Sequence, residues 1–172
     1  MRVLGTFRDV DGPDKFVWLR AFSDLATRLA GLSGFYGGPI WRRHRDATMV
    51  DSDDVLLLEH VTGELPTTER AAVGGGRVGP SRVLAVVRIH RPDVEPDLDP
   101  VPRLLGAPVA VLRTSGPANN FPALPVRSDR DVVWLARFAD ADVARVARKA
   151  LDEADPALQV LELEPTARSA YR

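Results

Sequence analysis

The chain has 172 residues, 45% of them hydrophobic, enough to bury a core of its own. A formal net charge of −1 gives no long-range pull toward nucleic acid or an anionic membrane surface, so neither is expected as a partner. The absence of cysteine excludes disulfides, thiolate chemistry and Cys-based metal sites. No run approaches the roughly 20 apolar residues of a membrane span, and no charged-then-apolar leader pattern opens the chain. A cytoplasmic location is the expectation.

In chain order, residues 2–9 predict a strand, closed by the turn-forming Asp11-Gly12-Pro13-Asp14. Residues 15–22 predict a second strand. It is apolar on both faces except at Arg20, the pattern of a strand covered on both sides. Ser23 or Asp24 is placed to cap a helix, along which Leu25, Leu29 and Leu32 form an apolar stripe. Gly37-Gly38 breaks that helix and Pro39 suits the opening of another, which carries Trp41 and His44 three residues apart. A strand is expected over 53–59. Residues 62–81, with Gly74-Gly75-Gly76, predict a loose linker. Gly74, Gly76 and Gly79 match a bare G-x-G-x-x-G, but no strand precedes them and no helix follows, so they make no phosphate cradle. Strands are then expected over 82–90, 108–115, 131–138 and 158–164. Helices are expected over 98–106 and after Asp140, the second with Val143, Val146, Ala150 and Leu151 as its apolar residues.

One motif occurs twice. Val17-Trp18-Leu19, Phe22 and Asp24 recur 116 residues on as Val133-Trp134-Leu135, Phe138 and Asp140. A strand pattern precedes each copy, and a helix and a short strand follow it. Such repetition governs the architecture. It predicts an α+β fold of tandem ferredoxin-like halves forming a dimeric-α+β-barrel-like fold: a first half over 1–61, a flexible linker over 62–81 and a second half over 82–172 with the order βαββαβ. The first half lacks the opening strand and helix. The repeat therefore predicts an open edge at residues 2–9, covered by a second copy in a homodimer, or else a true start upstream of Met1.

The segments Gly5-Thr6-Phe7-Arg8-Asp9, Phe16-Val17-Trp18-Leu19-Arg20, Phe35-Tyr36-Gly37-Gly38-Pro39-x-Trp41, His44-Arg45-Asp46 and Thr48-Met49-Val50-Asp51-Ser52-Asp53 resemble the NIPSNAP family, in particular its bacterial tandem members. The match is specific over 2–59 and loose over 82–172. The resemblance implies a place in the dimeric α+β-barrel superfamily, which includes cofactor-free monooxygenases, heme-binding enzymes and small cyclases or isomerases. Family members usually carry a strand and helix before the first of these segments, and a longer loop after the His-Arg-Asp triplet.

His44 is the candidate acid/base, because imidazole titrates near neutrality; Asp46 or Asp51 would orient it. The alternative is a helix C-terminal cation. Tyr36 and Trp41 are candidate walls for a flat ligand, or core. Arg20 and Arg88 are candidate anion partners, or members of rim ion pairs. Trp18 and Trp134, at repeat-equivalent positions, are expected in the core, and Asn119-Asn120 in a turn. His44, His60 and His90 lack metal-ligand spacing, and no metal or cofactor is expected. These residues support two functions. One is a cofactor-independent enzyme, monooxygenase or isomerase/cyclase-like, acting on an apolar aromatic or polyketide-like substrate of specialised metabolism. The other is a non-catalytic ligand-binding or interaction module of NIPSNAP type. A deep cavity holding His44 and an arginine would favour the first. An interior packed solid would favour the second.

Overall fold

A computed structural model describes residues 1–48, 54–67, 71–90, 100–107 and 109–171, apart from the side chains of His90 and Pro100. Among them, four helices lie on one curled, seven-stranded sheet, a half-barrel in which every pairing is antiparallel. The elements are β1 (Arg2–Asp9), β2 (Phe16–Ala21), α1 (Leu25–Tyr36), α2 (Pro39–Thr48), β3 (Leu58–Thr62), β4 (Arg82–His90), α3 (Pro100–Leu105), β5 (Val109–Thr114), β6 (Arg130–Phe138), α4 (Ala141–Ala154) and β7 (Gln159–Pro165). The sheet order is β2-β1-β7-β4-β6-β5-β3.

β4 is the centre of the later part of the chain. It pairs along its whole length with β6, from Arg82↔Phe138 to His90↔Arg130, and on its other side with β7. Side chains alternate between the sheet's two faces, and each face has its own core. Leu84, Val86, Val132, Trp134, Ala136 and Phe138 pack under α3 and α4. Val83, Ala85, Val87, Val133 and Leu135 face the inside of the curl, where they meet Phe7, Leu112, Leu163 and Tyr171. The tail seals this inner core. Tyr171 donates its backbone N–H to the Leu4 carbonyl (2.8 Å) and its hydroxyl to the Leu135 carbonyl (2.9 Å).

The strands from the early part of the chain attach at the two ends. The β1–β2 hairpin joins through β1 to β7, with Phe7↔Pro165 and Asp9↔Leu163. β3 joins β5 at the opposite end. The open edge expected at residues 2–9 is therefore not there: β1 is flanked by β2 and β7, and among the described residues the edges are β2 and β3. β2, expected to be covered on both sides, is only half-buried, with Phe16 52% exposed. Its apolar residues suit a covered strand, but among the described residues it has a strand neighbour on one side alone.

Local signals operate as expected at the helix starts. Asp24 Oδ1 accepts the Thr27 N–H (2.7 Å), and Asp140 Oδ1 accepts those of Asp142 (2.7 Å) and Val143 (3.4 Å). The faces these helices bury differ from expectation. α4 buries Ala144, Ala147 and Leu151, while Val143 and Val146 face solvent. α1 buries Arg28 and Leu32 but leaves Leu29 42% exposed. Small alanines allow α4 to lie close on the sheet, and that seat sets the helix rotation in place of the bulkier valines. In the linker most of residues 71–80 are exposed, yet two points are pinned. Arg168 Nε donates to the Ala71 carbonyl (3.0 Å), and Gly76 lies so close to the Ala167 carbonyl that a Cβ there would stand 1.7 Å from its oxygen.

Candidate functional site

Phe16, Trp18 and Arg20 project from β2 on the face opposite Val17 and Leu19, which pack against the inner core. The last turn of α1 brings Phe35 and Tyr36 over them. The Gly37 N–H then donates to the Ser33 carbonyl (2.9 Å) and ends the helix, and Pro39 opens α2 at an angle that returns Trp41 to the same place. The rings interlock. Trp18 meets Phe16 at 5.5 Å and Phe35 at 5.4 Å, both edge-on. Tyr36 meets Trp41 edge-on at 5.1 Å and stacks on Phe121, from the β5–β6 loop, at 5.8 Å. Such offsets are the preferred aromatic geometries.

Arg20 lies among these rings, its guanidinium carbon 5.0 Å from the Trp18 ring centre and 5.8 Å from that of Tyr36. Its Nη1 donates a long bond to the Tyr36 hydroxyl (3.4 Å). Beneath lies Arg28, 4% exposed, whose Nη1 donates to Asn119 Oδ1 (3.0 Å) and Asn120 Oδ1 (2.7 Å). Each asparagine is itself fixed: Asn119 Nδ2 donates to the Leu124 carbonyl (2.9 Å) and Asn120 Nδ2 to the Leu25 carbonyl (2.6 Å). Asn119 Oδ1 also accepts the Phe121 N–H (3.0 Å). The asparagine pair thus makes the expected turn and in addition ties the long loop to α1. Burial, and then the neighbouring charge of Arg20, hold the Arg28 pKa below its ordinary value. Two cations share this region, and Arg28 is satisfied by neutral amide oxygens.

Three of the six candidate residues, Arg20, Tyr36 and Trp41, therefore come together. The other three do not join them. His44 is exposed on α2, and its carbonyl accepts the Thr48 hydroxyl (2.8 Å). Asp46 is exposed and binds Arg45 Nε (2.9 Å); two residues from His44, it lies on another side of the helix and does not orient the imidazole. Arg88 belongs to β4 and pairs with Asp155, the C-cap residue of α4, in the rim ion pair that was its alternative reading. Asp51 lies outside the described residues. Trp134 is fully buried, whereas Trp18, expected in the core, is half-buried.

His44 lines neither of two surface clefts among the described residues. One, about 390 Å³, is lined by Val10, Asp11, Arg145, Arg148, Lys149, Asp152 and Glu162, where Arg148 bridges Asp11 (2.6 Å) and Glu162 (3.8 Å). A second, about 290 Å³, is lined by Gly63, Glu64, Val109, Arg137 and Tyr171. Neither cleft lies between residues 36–46 and the inner face of a central strand, where one was expected; among the described residues, apolar side chains pack the inside of the curl. Among the described residues no group of three His, Asp or Glu side chains gathers into a metal site, and no helix is long and apolar enough to cross a membrane.

Sequence reasoning missed Arg28, Asn119, Asn120 and Phe121 as members of this site. A signal existed for Arg28: it sits four residues after the capping Asp24, at the helix position equivalent to the buried Ala144. Comparison with family models, with curated proteins and with solved structures finds no match to this chain. Function is therefore argued from geometry.

Proposed function

We propose that this chain is a non-catalytic interaction module of the NIPSNAP kind, built from two ferredoxin-like halves of one barrel, and that it meets its partner through the aromatic–arginine face of its first half. The observation that carries this reading is where the face opens. Six rings and Arg20 gather on the face of β2 turned away from the inner core, with Phe16 exposed and the others half-buried, while apolar side chains pack the inside of the curl. Tryptophan, tyrosine and arginine are the residues that concentrate at the energetic centres of protein interfaces. Phe16 is 52% exposed, and Ile40, which precedes Trp41 on α2, is 77% exposed. The kinship is supported by the way residues of its quoted segments, Trp18, Arg20, Phe35, Tyr36 and Trp41, gather in one place. The duplicated-half reading is supported by residues 82–165, whose four strands run in the order β7-β4-β6-β5, with the first and third central and α3 and α4 on one face.

A photo-crosslinking residue at Ile40 tests this in cells. A discrete crosslinked partner is expected there, none from the equally exposed Val146 on α4, and none at Ile40 once Trp41→Ala is added. Equal crosslinking from both positions would overturn the assignment.

The meeting of Arg20, Tyr36 and Trp41 favours a second reading, the cofactor-independent enzyme acting on an aromatic or polyketide-like substrate. Titration with 1-naphthoate followed by tryptophan fluorescence separates the two. Saturable quenching that disappears in Arg20→Ala supports a small-molecule site. A linear, non-saturating response supports the interaction module.

A further inference from the structure

Arg82, Arg88, Arg127 and Arg148 each pair with at least one carboxylate. Arg20 and Arg28 differ. Among the described residues neither pairs with a carboxylate, and their hydrogen bonds go to neutral oxygens. The bond from Arg20 to the Tyr36 hydroxyl is long, at 3.4 Å. Its guanidinium rests against the Trp18 and Tyr36 rings. A guanidinium held on aromatic faces keeps the donors of its edge for a planar acceptor. Both bonds of Arg28 leave from Nη1, although the group carries donors on Nε and Nη2 as well.

Contacts join the two cations. Arg20 binds Tyr36, Tyr36 stacks on Phe121, and the Phe121 N–H and Arg28 share Asn119 Oδ1. Burial of Arg28 and the charge of Arg20 both disfavour the Arg28 cation, a cost that a nearby anion would offset. The surrounding chain has the same sign. Residues 16–48 hold five arginines against Asp24 and Asp46, a formal charge of +3 (5 − 2) in a chain whose total is −1. Both acids are engaged elsewhere: Asp24 caps α1 and Asp46 binds Arg45.

We infer that the partner of this module is a protein that meets the face with an acidic segment, setting an aspartate or glutamate carboxylate against the edge of the Arg20 guanidinium and apolar side chains against the rings around it. This names the chemistry of the partner of the face proposed above and rests on that reading. Carboxylate on guanidinium is a charge-assisted, bidentate pairing. Arg28 is a positioning residue: it holds the loop that carries Phe121 and adds its charge from beneath. A nucleic acid is a poorer occupant. Trp18, Phe35, Tyr36 and Trp41 pack against one another, three of these contacts edge-on, and do not form the open platforms on which bases stack.

The test pans a displayed library of random peptides on the intact chain and titrates the selected peptide by calorimetry. Selected peptides should be enriched in Asp or Glu beside aromatic or apolar residues. Arg20→Gln should weaken binding about tenfold or more, and so should replacing the peptide's acid by its amide. The two changes together should cost no more than either alone, the signature of a direct pair. Arg20→Lys, which keeps the charge without the fork, should recover part of the affinity. Arg145→Gln, on the exposed side of α4, should change nothing. Selection without acidic enrichment, no selected peptide, or additive losses overturns the inference. So does binding of 1-naphthoate or oligothymidylate that displaces the peptide at a lower concentration than the peptide itself requires, which would assign the face to a small carboxylate or to nucleic acid. If the Ile40 crosslink persists while the acidic selection fails, the interaction reading stands and the acidic partner falls; if both fail, both fall.

Discussion

β2 and β6 carry the same Val-Trp-Leu motif and present it to very different surroundings. At equivalent places, Phe16 is 52% exposed and Val132 1%, while the half-buried Arg20 corresponds to the fully buried Ala136. The helices that follow correspond position for position: Asp24 and Asp140 both cap, and the sheet-facing Ala144, Ala147 and Leu151 of α4 match Arg28, Gly31 and Phe35 of α1. The motif thus specifies a strand, its two faces and the cap of the next helix. Neighbours decide how deeply those faces are buried. β6 lies between β4 and β5 under two helices, whereas β2 has β1 alone. An arginine is tolerated on β2 because its guanidinium rests on rings and reaches solvent. The same group at position 136 would be shut in an apolar core.

That contrast sets the largest expected effect. Ala136→Arg should cost roughly 3–5 kcal/mol or prevent folding, as an uncompensated buried charge does. Arg20→Ala should cost no more than about 1 kcal/mol. Urea denaturation of the two variants measures both, and similar costs would break the comparison. The tryptophans sharpen it. Trp134→Ala should cost about 3–5 kcal/mol and Trp18→Ala about half as much, because a half-buried ring leaves a smaller cavity and less lost burial. Equal losses would mean that β2 is as well covered as β6. A smaller effect concerns the tail that seals the inner core. Burial raises the Tyr171 pKa to about 12, against an opposing pull from the charge of Arg137. A pKa raised on folding gives stability that is complete below the unfolded value near 10 and is lost as pH rises through about 12. That loss should be about 2 kcal/mol. Denaturation midpoints across pH 9–12 should fall in the native chain and much less in Tyr171→Phe. A flat native profile would contradict the burial of the phenol.

Much of the fold was legible because its signals are local. The repeat of Val17-Trp18-Leu19 at Val133-Trp134-Leu135 marks equivalent strands, Asp24 and Asp140 mark helix starts, and Gly37-Gly38 with Pro39 marks the corner that returns Trp41 to Tyr36. What escaped is non-local. An apolar strand reads alike at an edge or at a centre, so β2 passed for a covered strand, and the open edge was assigned to β1, which β7 covers. Arg28 finds its acceptors on Asn119 and Asn120, more than ninety residues away, across a pairing that no periodicity announces. His44 offered the right chemistry on a helix that turns it outward.

Native-state amide exchange on the chain alone tests the central contrast most directly. Amides of β4, β6 and β7 should exchange only through global unfolding. Those of 16–21 and 58–62 that point to the open edges should exchange at least a hundredfold faster through local opening. Protection in β2 equal to that in β6 would contradict the account, since it would place a partner strand where the sheet order leaves none.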